Sequence, residues 1–248
     1  LTVDELTDAI VDRTGSWAGD PVMEAFQTKW PRWRQVEDLA TRRGAMCFGP
    51  TRDRKVTYTS PARWLPGLRP MDGPDALAAL VQRYLYAYGP ATPAHFARWL
   101  SVPPRWAAEL FASMALEKVT VDGTDAWVVP GDTDFAPAGS SGVRLLPYFD
   151  AYAVGCHPRE RVFPGRAGAR ALARGQAGNF PVLLVDGTVA GVWHQRRAGR
   201  RFAVTVEPFG TLDAARRRSL EEQVARIGEI LEGAAALTIG TVSAGPHA

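Results

Sequence analysis

The sequence carries its densest group of cations at residues 196–201, where four of the six residues in RRAGRR are arginine. Apolar, β-branched runs flank this group, which predicts a basic turn between two strands of a hairpin. Guanidinium groups this close repel one another unless a polyanion neutralises them, and each binds phosphate through paired hydrogen bonds. The predicted contacts with the backbone of duplex DNA are Arg196, Arg197, Arg200 and Arg201. The alternative is a turn that is simply solvated.

A second group of basic residues lies in the first quarter of the chain. Residues 49–55, GPTRDRK, separate two short apolar runs and predict a hairpin with a basic tip, and residues 32–43 predict the helix before it. Side chains near the start of such a helix reach phosphates or base edges, although Glu37 and Asp38 on the same helix would repel phosphate. The predicted DNA contacts here are Arg32, Arg34, Gln35, Arg52, Arg54 and Lys55. The alternative is a solvated surface or a protein-interaction module.

Other chemistries have weaker support. Asp150 ends the run LLPYFD, and a carboxylate there is either a structural hydrogen-bond acceptor or a catalytic acid. The four histidines, at positions 95, 157, 194 and 247, lack the spacing of a zinc site, and the two cysteines do not complete one. No phosphate loop, dinucleotide fingerprint or nucleophile elbow occurs. The sequence therefore predicts neither a metal nor a nucleotide cofactor.

The basic groups at residues 32–55 and 196–201 need a folded scaffold to position them. Residues 84–114 give the clearest prediction of its secondary structure. Gly89 ends one helix, because glycine adopts the left-handed conformation past a C-terminus at little cost. Thr92-Pro93 begins the next, whose apolar residues recur at i, i+3 and i+4. A further helix and a hairpin at Asp122-Gly123 follow. Three helices closed by a hairpin are typical of a winged-helix domain, which we predict over residues 74–130.

Residues 1–66 repeat this plan in architecture rather than in residue identity. Thr2 and Glu5 form a capping box that opens the first helix. A second, short helix is expected to begin at Pro21 and to run through Phe26, and the third helix and the basic hairpin follow. A linker rich in proline and glycine, within residues 61–73, joins this winged helix to the next.

Beyond a second linker at residues 130–142 the pattern becomes that of β-strands. Four β-rich runs begin near residues 143, 182, 189 and 202, followed by a helix that Asp213 caps and by a last strand over 237–242. Residues 143–242 are therefore predicted to form a β-rich C-terminal domain with a barrel-like antiparallel sheet. The expected fold class is α+β, with tandem winged-helix (helix-turn-helix) domains before that domain.

Composition is that of an ordinary globular protein, with 46% apolar and 22% charged residues over 248 positions. Lys and Arg exceed Asp and Glu by three, yet residues 143–201 hold ten Arg and three acids, so this segment alone carries +7. A GC-rich genome that uses Arg for any exposed cation is the alternative explanation. Two unpaired cysteines favour a cytoplasmic location, and no apolar run is long enough for a membrane span. A start at Leu1 suggests a piece of a longer chain.

Several short motifs resemble those of one protein family. They are residues 88–99, YGPATPAHFARW; Leu145-Leu146-Pro147 with Phe149-Asp150 and Gly155; residues 182–193; and Glu207-Pro208-Phe209. Their order and spacing over roughly residues 1–235 are similar to those of the bacterial winged-helix DNA glycosylases, the AlkZ-like family. The resemblance implies tandem winged helices and a β-rich domain that form a basic channel around duplex DNA.

The resemblance also implies hydrolysis of the N-glycosidic bond of an alkylated or crosslinked purine, which needs a positioned water. In the family that task falls to a Gln-x-Gln or Gln-x-Asp motif upstream of the matched region, and these 248 residues contain neither. Gln35-Val36-Glu37 is the nearest match but stands at another position. Within Cys156-His157-Pro158-Arg159, only Arg159 matches the family pattern, and the resemblance adds it to the DNA contacts.

The sequence thus predicts a DNA-binding protein that resembles DNA repair glycosylases, with its catalytic pair absent from this chain. A non-enzymatic winged-helix regulator and a protein-interaction module remain alternatives. The expected partner is duplex DNA, without a membrane, a metal or a nucleotide cofactor. The oligomeric state stays open.

Overall fold

The computed structural model describes residues 1–25, 28–134 and 142–246. The chain divides into two compact units, Leu1–Asp72 and Gly73–Ala248. The structure is a mixed α+β fold. In the part of the chain that the structure describes, no helix is both long and apolar enough to cross a membrane.

The first unit alternates short helices with short strand pairs. Its helix α1 begins at the predicted capping box, where the Glu5 amide donates to Thr2 Oγ1 at 3.3 Å and the Thr2 amide donates to Glu5 Oε2 at 2.8 Å. The elements are α1 (Val3–Thr14), a 3₁₀ helix (Ser16–Gly19), β1 (Pro21–Glu24), β2 (Lys29–Pro31), a 3₁₀ helix (Arg32–Val36), α2 (Glu37–Arg42), β3 (Cys47–Phe48), β4 (Tyr58–Thr59) and α3 (Pro61–Trp64).

The short helix expected from Pro21 is wrong, because these residues form strand β1. It pairs with β2 in an antiparallel ribbon that matches Met23 to Trp30 and Glu24 to Lys29. An ion pair of 3.2 Å between Lys29 and Glu24 lies across the ribbon. Phe26, the expected end of the helix, lies outside the described residues. Ladder hydrogen bonds with the next strand, which begins at Lys29, thus outweigh the local helix signal.

The predicted helix over residues 32–43 is split. Its first turn is the 3₁₀ helix Arg32–Val36, and α2 begins only at Glu37. Trp33 is buried in that turn, where its indole Nε1 donates to Thr7 Oγ1 at 2.9 Å. The tighter turn therefore serves to bury one large ring against α1. The hairpin that follows pairs β3 with β4, as the sequence predicts, although both strands are short.

The second unit opens with the elements predicted for residues 74–130. They are α4 (Gly73–Tyr88), α5 (Pro93–Leu100), α6 (Pro104–Ala112), β5 (Glu117–Val121) and β6 (Thr124–Val128). Thr92 caps α5 by accepting the His95 amide at 3.1 Å. Tyr84, Phe96 and Trp99 pack ring against ring between the helices, and Trp127 joins the hairpin to that core. The three helices and the hairpin are confirmed at these residues.

The rest of the second unit is a five-stranded sheet that curls into a half-barrel. Its strands run in the order β11-β10-β9-β8-β7, and its helices cover both faces. The elements are β7 (Val143–Leu146), α7 (Ala151–Gly155), α8 (Arg159–Val162), α9 (Arg166–Arg170), β8 (Val182–Val185), β9 (Thr188–Ala198), β10 (Arg201–Pro208), α10 (Ala214–Ile230) and β11 (Ala234–Ile239).

The expectation of a wholly antiparallel sheet is wrong at one edge. Strand β11 runs parallel to β10, with Val204 opposite Leu237. The long helix α10 makes this possible, because parallel neighbours need a crossover rather than a tight turn. Leu220 and Val224 of α10 fill one face of the sheet, and the helices between β7 and β8 cover the other.

Candidate nucleic-acid interface

The arginine-rich segment is the end of the longest hairpin in the described residues. Strands β9 and β10 remain paired up to Ala198 and Arg201, so the turn consists of Gly199 and Arg200 alone. The longer basic turn expected from sequence is therefore wrong. Gly199 has a φ of +61°, a left-handed conformation that glycine adopts without strain. We call Arg196, Arg197, Arg200 and Arg201 the arginine tip; all four are exposed.

The pairing register distributes the arginine tip over two faces of the hairpin. Side chains alternate along a strand and paired residues share a face, so Arg196 and Arg201 lie on the same face. Arg197 lies on the other, with its guanidinium carbon 5.4 Å from the centre of the Phe202 ring. Arg200 Nε donates to the Glu232 carbonyl at 3.2 Å. Among the described residues none of the four pairs with a carboxylate, so their charges are available to an external anion.

The face of Arg196 and Arg201 continues into a shallow groove. His194 and Thr205 line it beside Arg196, and residues 241–244 form its other wall around a volume of about 310 Å³. The groove follows the strand away from the tip and is mostly polar at its surface. Its polar surface is suited to a chain of phosphate groups.

Three of the exposed basic residues predicted in the first unit form ion pairs within that unit. Arg52 pairs with Glu5, Lys55 Nζ lies 3.2 Å from Asp4 Oδ2, and Arg32 lies 3.5 Å from Asp20. These pairs are exposed, and such pairs contribute about 0–1 kcal/mol, so they exchange readily for phosphate. Arg54 is exposed and makes no ion pair in the described residues, and the uncharged Gln35 is also exposed.

Arg34 differs from its neighbours because it is part of a half-buried polar cluster. Its Nε donates to Glu37 Oε2 at 2.7 Å, and the Tyr58 hydroxyl donates to Glu37 Oε1 at 2.6 Å. Burial alone would raise the pKa of Glu37, but Arg34 and Tyr58 outweigh it and lower that pKa. The Arg34 guanidinium also lies 3.9 Å from the centre of the Trp30 ring. These contacts hold β2 against the helix and the hairpin.

Asp150 and Arg159 both stabilise the short helix α7. Asp150 caps its start by accepting the Tyr152 amide at 2.9 Å, which is the structural alternative considered for this carboxylate. Arg159 donates to the carbonyls of Ala153 and Val154 at 2.9 and 3.0 Å, at the end of the same helix. Cations are favoured at that end by the helix dipole.

A cavity of about 870 Å³ in the second unit was not predicted from sequence. It lies where α5 and the end of α4 face α7 and a turn at residues 173–176. Its aromatic and polar lining comprises Tyr88, His95, Arg98, Trp99, Phe149, His157, Arg159, Glu160, Arg174 and Gln176. These residues are scattered over almost ninety positions, so no local motif unites them. The available signal was that residues 88–99 and Phe149 both occur in the family motifs.

Both imidazoles in the cavity are neutral near pH 7. Burial lowers the pKa of His157 to about 4, and the nearby Arg159 and Arg98 act in the same direction. Burial, together with Arg161 and Arg98, also lowers the pKa of His95. Because His95 Nδ1 accepts the Thr92 amide at 3.3 Å, the proton of its neutral ring lies on Nε2. His95 is therefore a hydrogen-bond donor at that atom.

Gly155 lines this cavity at a position where the neighbouring atoms leave no room for a Cβ atom. A Cβ there would lie 2.8 Å from Cε1 of Tyr88, whose hydroxyl donates to the Ala151 carbonyl at 2.9 Å. Gly155→Ala should therefore destabilise the protein by roughly 1–3 kcal/mol through overpacking. Gly168→Ala on α9, where the nearest contact is an ordinary 3.4 Å, should leave stability unchanged or slightly raised. Urea unfolding measures both, and equal midpoints would contradict the assignment.

Comparison with known proteins shows the family of this chain. The family model of the AlkZ-like DNA glycosylases matches residues 1–230. An interstrand DNA cross-link repair glycosylase of Streptomyces sahachiroi is 32% identical over 204 residues, which cover 79% of this chain and 54% of that protein. The solved structure of the DNA glycosylase AlkZ from the same organism is similar with a TM-score of 0.69 and 27% identity, over 97% of this chain and 65% of that one. The chain thus spans about half the length of the curated relative. It belongs to the AlkZ-like DNA glycosylase family.

Proposed function

We propose that this chain forms the duplex-binding part of a DNA repair glycosylase. The observation that carries the proposal is the arginine tip, where four exposed guanidinium groups have no carboxylate partner in the described residues. Such a tip fits the minor groove or the phosphates along it. Family membership supports the same partner. The test is the salt dependence of duplex affinity for the wild type and for a variant in which the four arginines of the tip are replaced by alanine.

The proposed architecture is a winged helix over residues 1–66, a second over 74–130 and a β-rich domain over 143–242. Three helices and a hairpin at residues 73–128 support the second assignment. In the first unit a 3₁₀ turn and the β1–β2 ribbon stand where the second helix of a winged helix would be, and only the order of α1, α2 and the β3–β4 hairpin supports the assignment.

The two proposed winged helices have different roles in this proposal. On its third helix and hairpin the second has little free positive charge, because Arg105 pairs with Glu109 at 2.9 Å and Lys118 pairs with Asp125 at 2.6 Å. It therefore acts as scaffold. In the first, the proposed DNA contacts are Arg54 and Gln35, together with Arg32, Arg52 and Lys55 after exchange of their exposed ion pairs. Arg34 and Arg159 contribute by holding their neighbours in position.

The proposed reaction is hydrolysis of the N-glycosidic bond of an alkylated or crosslinked purine. The relative from Streptomyces sahachiroi carries the name of a cross-link repair glycosylase, which supports this substrate class. The chemistry needs a side chain that orients a water towards the sugar carbon as the base leaves. The resemblance assigns that task to Gln-x-Gln or Gln-x-Asp, and the 248 residues contain neither motif.

We therefore expect the 248-residue chain to bind DNA containing N7-alkylated purines without releasing the modified base. Chromatography of the supernatant after incubation measures release, with a duplex that depurinates on heating as the positive control. Release well above the spontaneous rate would contradict this expectation and would make Gln35 and Glu37 the first residues to replace. Binding without release also fits the second candidate function, a non-enzymatic DNA-binding regulator. The complete coding sequence distinguishes the two, since the enzyme requires the glutamine motif.

A further inference from the structure

Strand β11 lies at one edge of the five-stranded sheet, where it pairs with β10 alone. The Ala234 amide donates to the Arg200 carbonyl at 2.8 Å, and the Gly240 amide donates to the Val206 carbonyl at 2.9 Å. Both donors stand at even-numbered positions, and successive residues of a strand direct their backbone groups to opposite sides. The odd-numbered residues of β11 therefore direct their N–H and C=O groups away from the sheet. The outer edge, as we call these groups, belongs to Ala235, Leu237 and Ile239.

The chain that follows β11 leaves this outer edge open because it turns back over the sheet. The Val242 amide donates to Glu207 of β10 at 2.9 Å, and residues 241–244 line the groove beside His194 of β9. The segment thus crosses the face of the sheet towards β9 and does not follow β11. In the described part of the chain, no strand other than β10 pairs with β11.

The sequence of β11 has none of the features that usually protect a sheet edge. Its six residues, AAALTI, include no charged residue and no proline, and its register with β10 has no bulge. Natural proteins use lysine, proline and bulges to prevent an edge from pairing with another chain. The side chains of Ala234, Ala236, Thr238 and Ile239 are exposed. An open, uncharged edge of this kind is suited to pairing with another strand through its backbone.

The outer edge is complementary to itself in one antiparallel register. In that register Leu237 lies opposite Leu237 of a second copy, and Ala235 lies opposite Ile239 of that copy. Both are hydrogen-bonded pairs, in which the two residues exchange an N–H···O=C bond in each direction. Every N–H and C=O group of the outer edge thereby finds a partner on each copy.

The side chains also fit this register. Leu237 packs against the cluster of Leu220 and Val224 under α10, so its contact with a second Leu237 would extend that core. On the opposite face Ala236 would lie across from Thr238, and small side chains suit the close approach of a non-hydrogen-bonded pair, about 4.5 Å between Cα atoms. No like charges are brought together within the paired strands, since β11 carries none.

We propose that β11 pairs antiparallel with β11 of a second copy of this chain and joins the two sheets into one. The pairing relates the copies by a two-fold axis, so the assembly closes at two chains. The interface is short, so the dimer forms at high protein concentration and dissociates on dilution. The groove faces of both copies then lie on the same side of the joined sheet. This self-association is separate from DNA binding and does not require it.

The test is sedimentation equilibrium of the 248-residue chain without DNA, from about 5 to 500 µM, a range that includes the affinities of short interfaces. We expect the mean mass of the wild type to rise with concentration towards that of two chains. Ala236→Lys with Thr238→Lys places lysine opposite lysine twice in the proposed register. Like charges directly opposite each other destabilise a strand pair, so the dissociation constant should rise at least about tenfold.

The matched control is Ala236→Lys with Thr238→Glu, which uses the same exposed positions. In the proposed register each lysine then lies opposite a glutamate of the other copy, so the dissociation constant should stay within about threefold of the wild type or fall. Thermal melting checks that both variants are folded. A wild type that remains monomeric over the whole range would overturn the proposal and leave the edge to another polypeptide. A dimer that both variants weaken equally, or that neither weakens, would also overturn it. None of these results bears on DNA binding, which is measured separately.

Discussion

Replacement of all four arginines of the tip by alanine is expected to lower the affinity for duplex DNA by on the order of 100-fold at low salt. A hydrogen bond to a charged group contributes roughly 1.5 kcal/mol or more, and about 1.4 kcal/mol is a tenfold change in affinity. The loss of two such contacts is enough for this decrease in affinity. Each phosphate contact also contributes about −0.9 to the slope of log affinity against log salt, so the slope should flatten by about two to four units. The loss should be similar for unrelated sequences, since phosphates carry no sequence information.

The register of the hairpin makes this prediction more specific. Arg196 and Arg201 share the face that continues into the groove, so their double substitution should account for most of the change in slope. Arg217→Ala with Arg218→Ala is the charge-matched control and should shift the slope by less than about one unit. Fluorescence anisotropy at four or more salt concentrations measures all variants. Parallel lines for the wild type and the fourfold variant, with unchanged melting temperatures, would mean that the tip is only a solvated turn.

Glu207→Ala is expected to cost about 3 kcal/mol of stability, because it leaves buried partners without their anion. The Glu207 side chain is 11% exposed and pairs with Arg170 at 3.1 Å. It also accepts the Val242 amide at 2.9 Å, and Arg170 donates to the Val242 carbonyl at 2.6 Å. Arg166, at 3.5 Å and 64% exposed, adds little. One carboxylate thus attaches the segment after β11 to the sheet.

The pH dependence gives a second measurement of this effect. Burial alone would raise the pKa of Glu207, but the Val242 amide and the Arg170 guanidinium outweigh it and lower that pKa. A lowered pKa means that the stabilisation is complete above the unfolded value of about 4.3 and is lost as the pH falls through the folded value. The difference in unfolding free energy between the wild type and Glu207→Ala should therefore be constant at neutral pH and shrink below about pH 4.

The control for this prediction is Glu222→Ala on the exposed side of α10. This substitution removes the same negative charge, but from a side chain that has no buried partner. It should change the free energy of unfolding by less than about 0.5 kcal/mol. Guanidinium chloride would screen the ion pairs, so urea is the denaturant for these measurements. Equal midpoints for Glu207→Ala and Glu222→Ala at pH 7 would show that the carboxylate does not hold the segment.

Local signals predicted most elements of the second unit. Thr92 and Asp213 cap α5 and α10 where expected, because a cap needs only a side chain and an amide three residues apart. Asp122-Gly123 forms the turn between β5 and β6. The family motifs are explained by contacts between strands of the sheet. Gly191 is glycine because a Cβ there would lie 2.6 Å from the Glu207 carbonyl oxygen, and Trp193 donates to the Leu146 carbonyl at 2.9 Å.

What the sequence did not predict depends on partners far apart in the chain. The β1–β2 ribbon is the exception, because its partner strand begins only five residues after Glu24, yet it depends on a pairing that the helix signal at Pro21 does not indicate. The direction of β11 depends on how α10 packs against the sheet. The hydrophobic periodicity of the sequence does not indicate that packing. The ion pairs of Arg52 and Lys55 with α1 join residues about fifty positions apart. The cavity likewise combines α4 and α5 with residues that follow position 141 in the sequence.

The arginine tip belongs to the part of the sheet in which β10 pairs with a strand on each side, and this affects the entropy of binding. Arg201 lies between Ala198 of β9 and Ala234 of β11, and the Arg200 carbonyl accepts the Ala234 amide at 2.8 Å. The backbone of the tip is therefore fixed on both sides before any ligand arrives. Ordering a flexible loop would oppose association by roughly 1–2 kcal/mol for each residue fixed. Here that conformational freedom is already lost when the sheet folds, and DNA meets a preorganised array of charges.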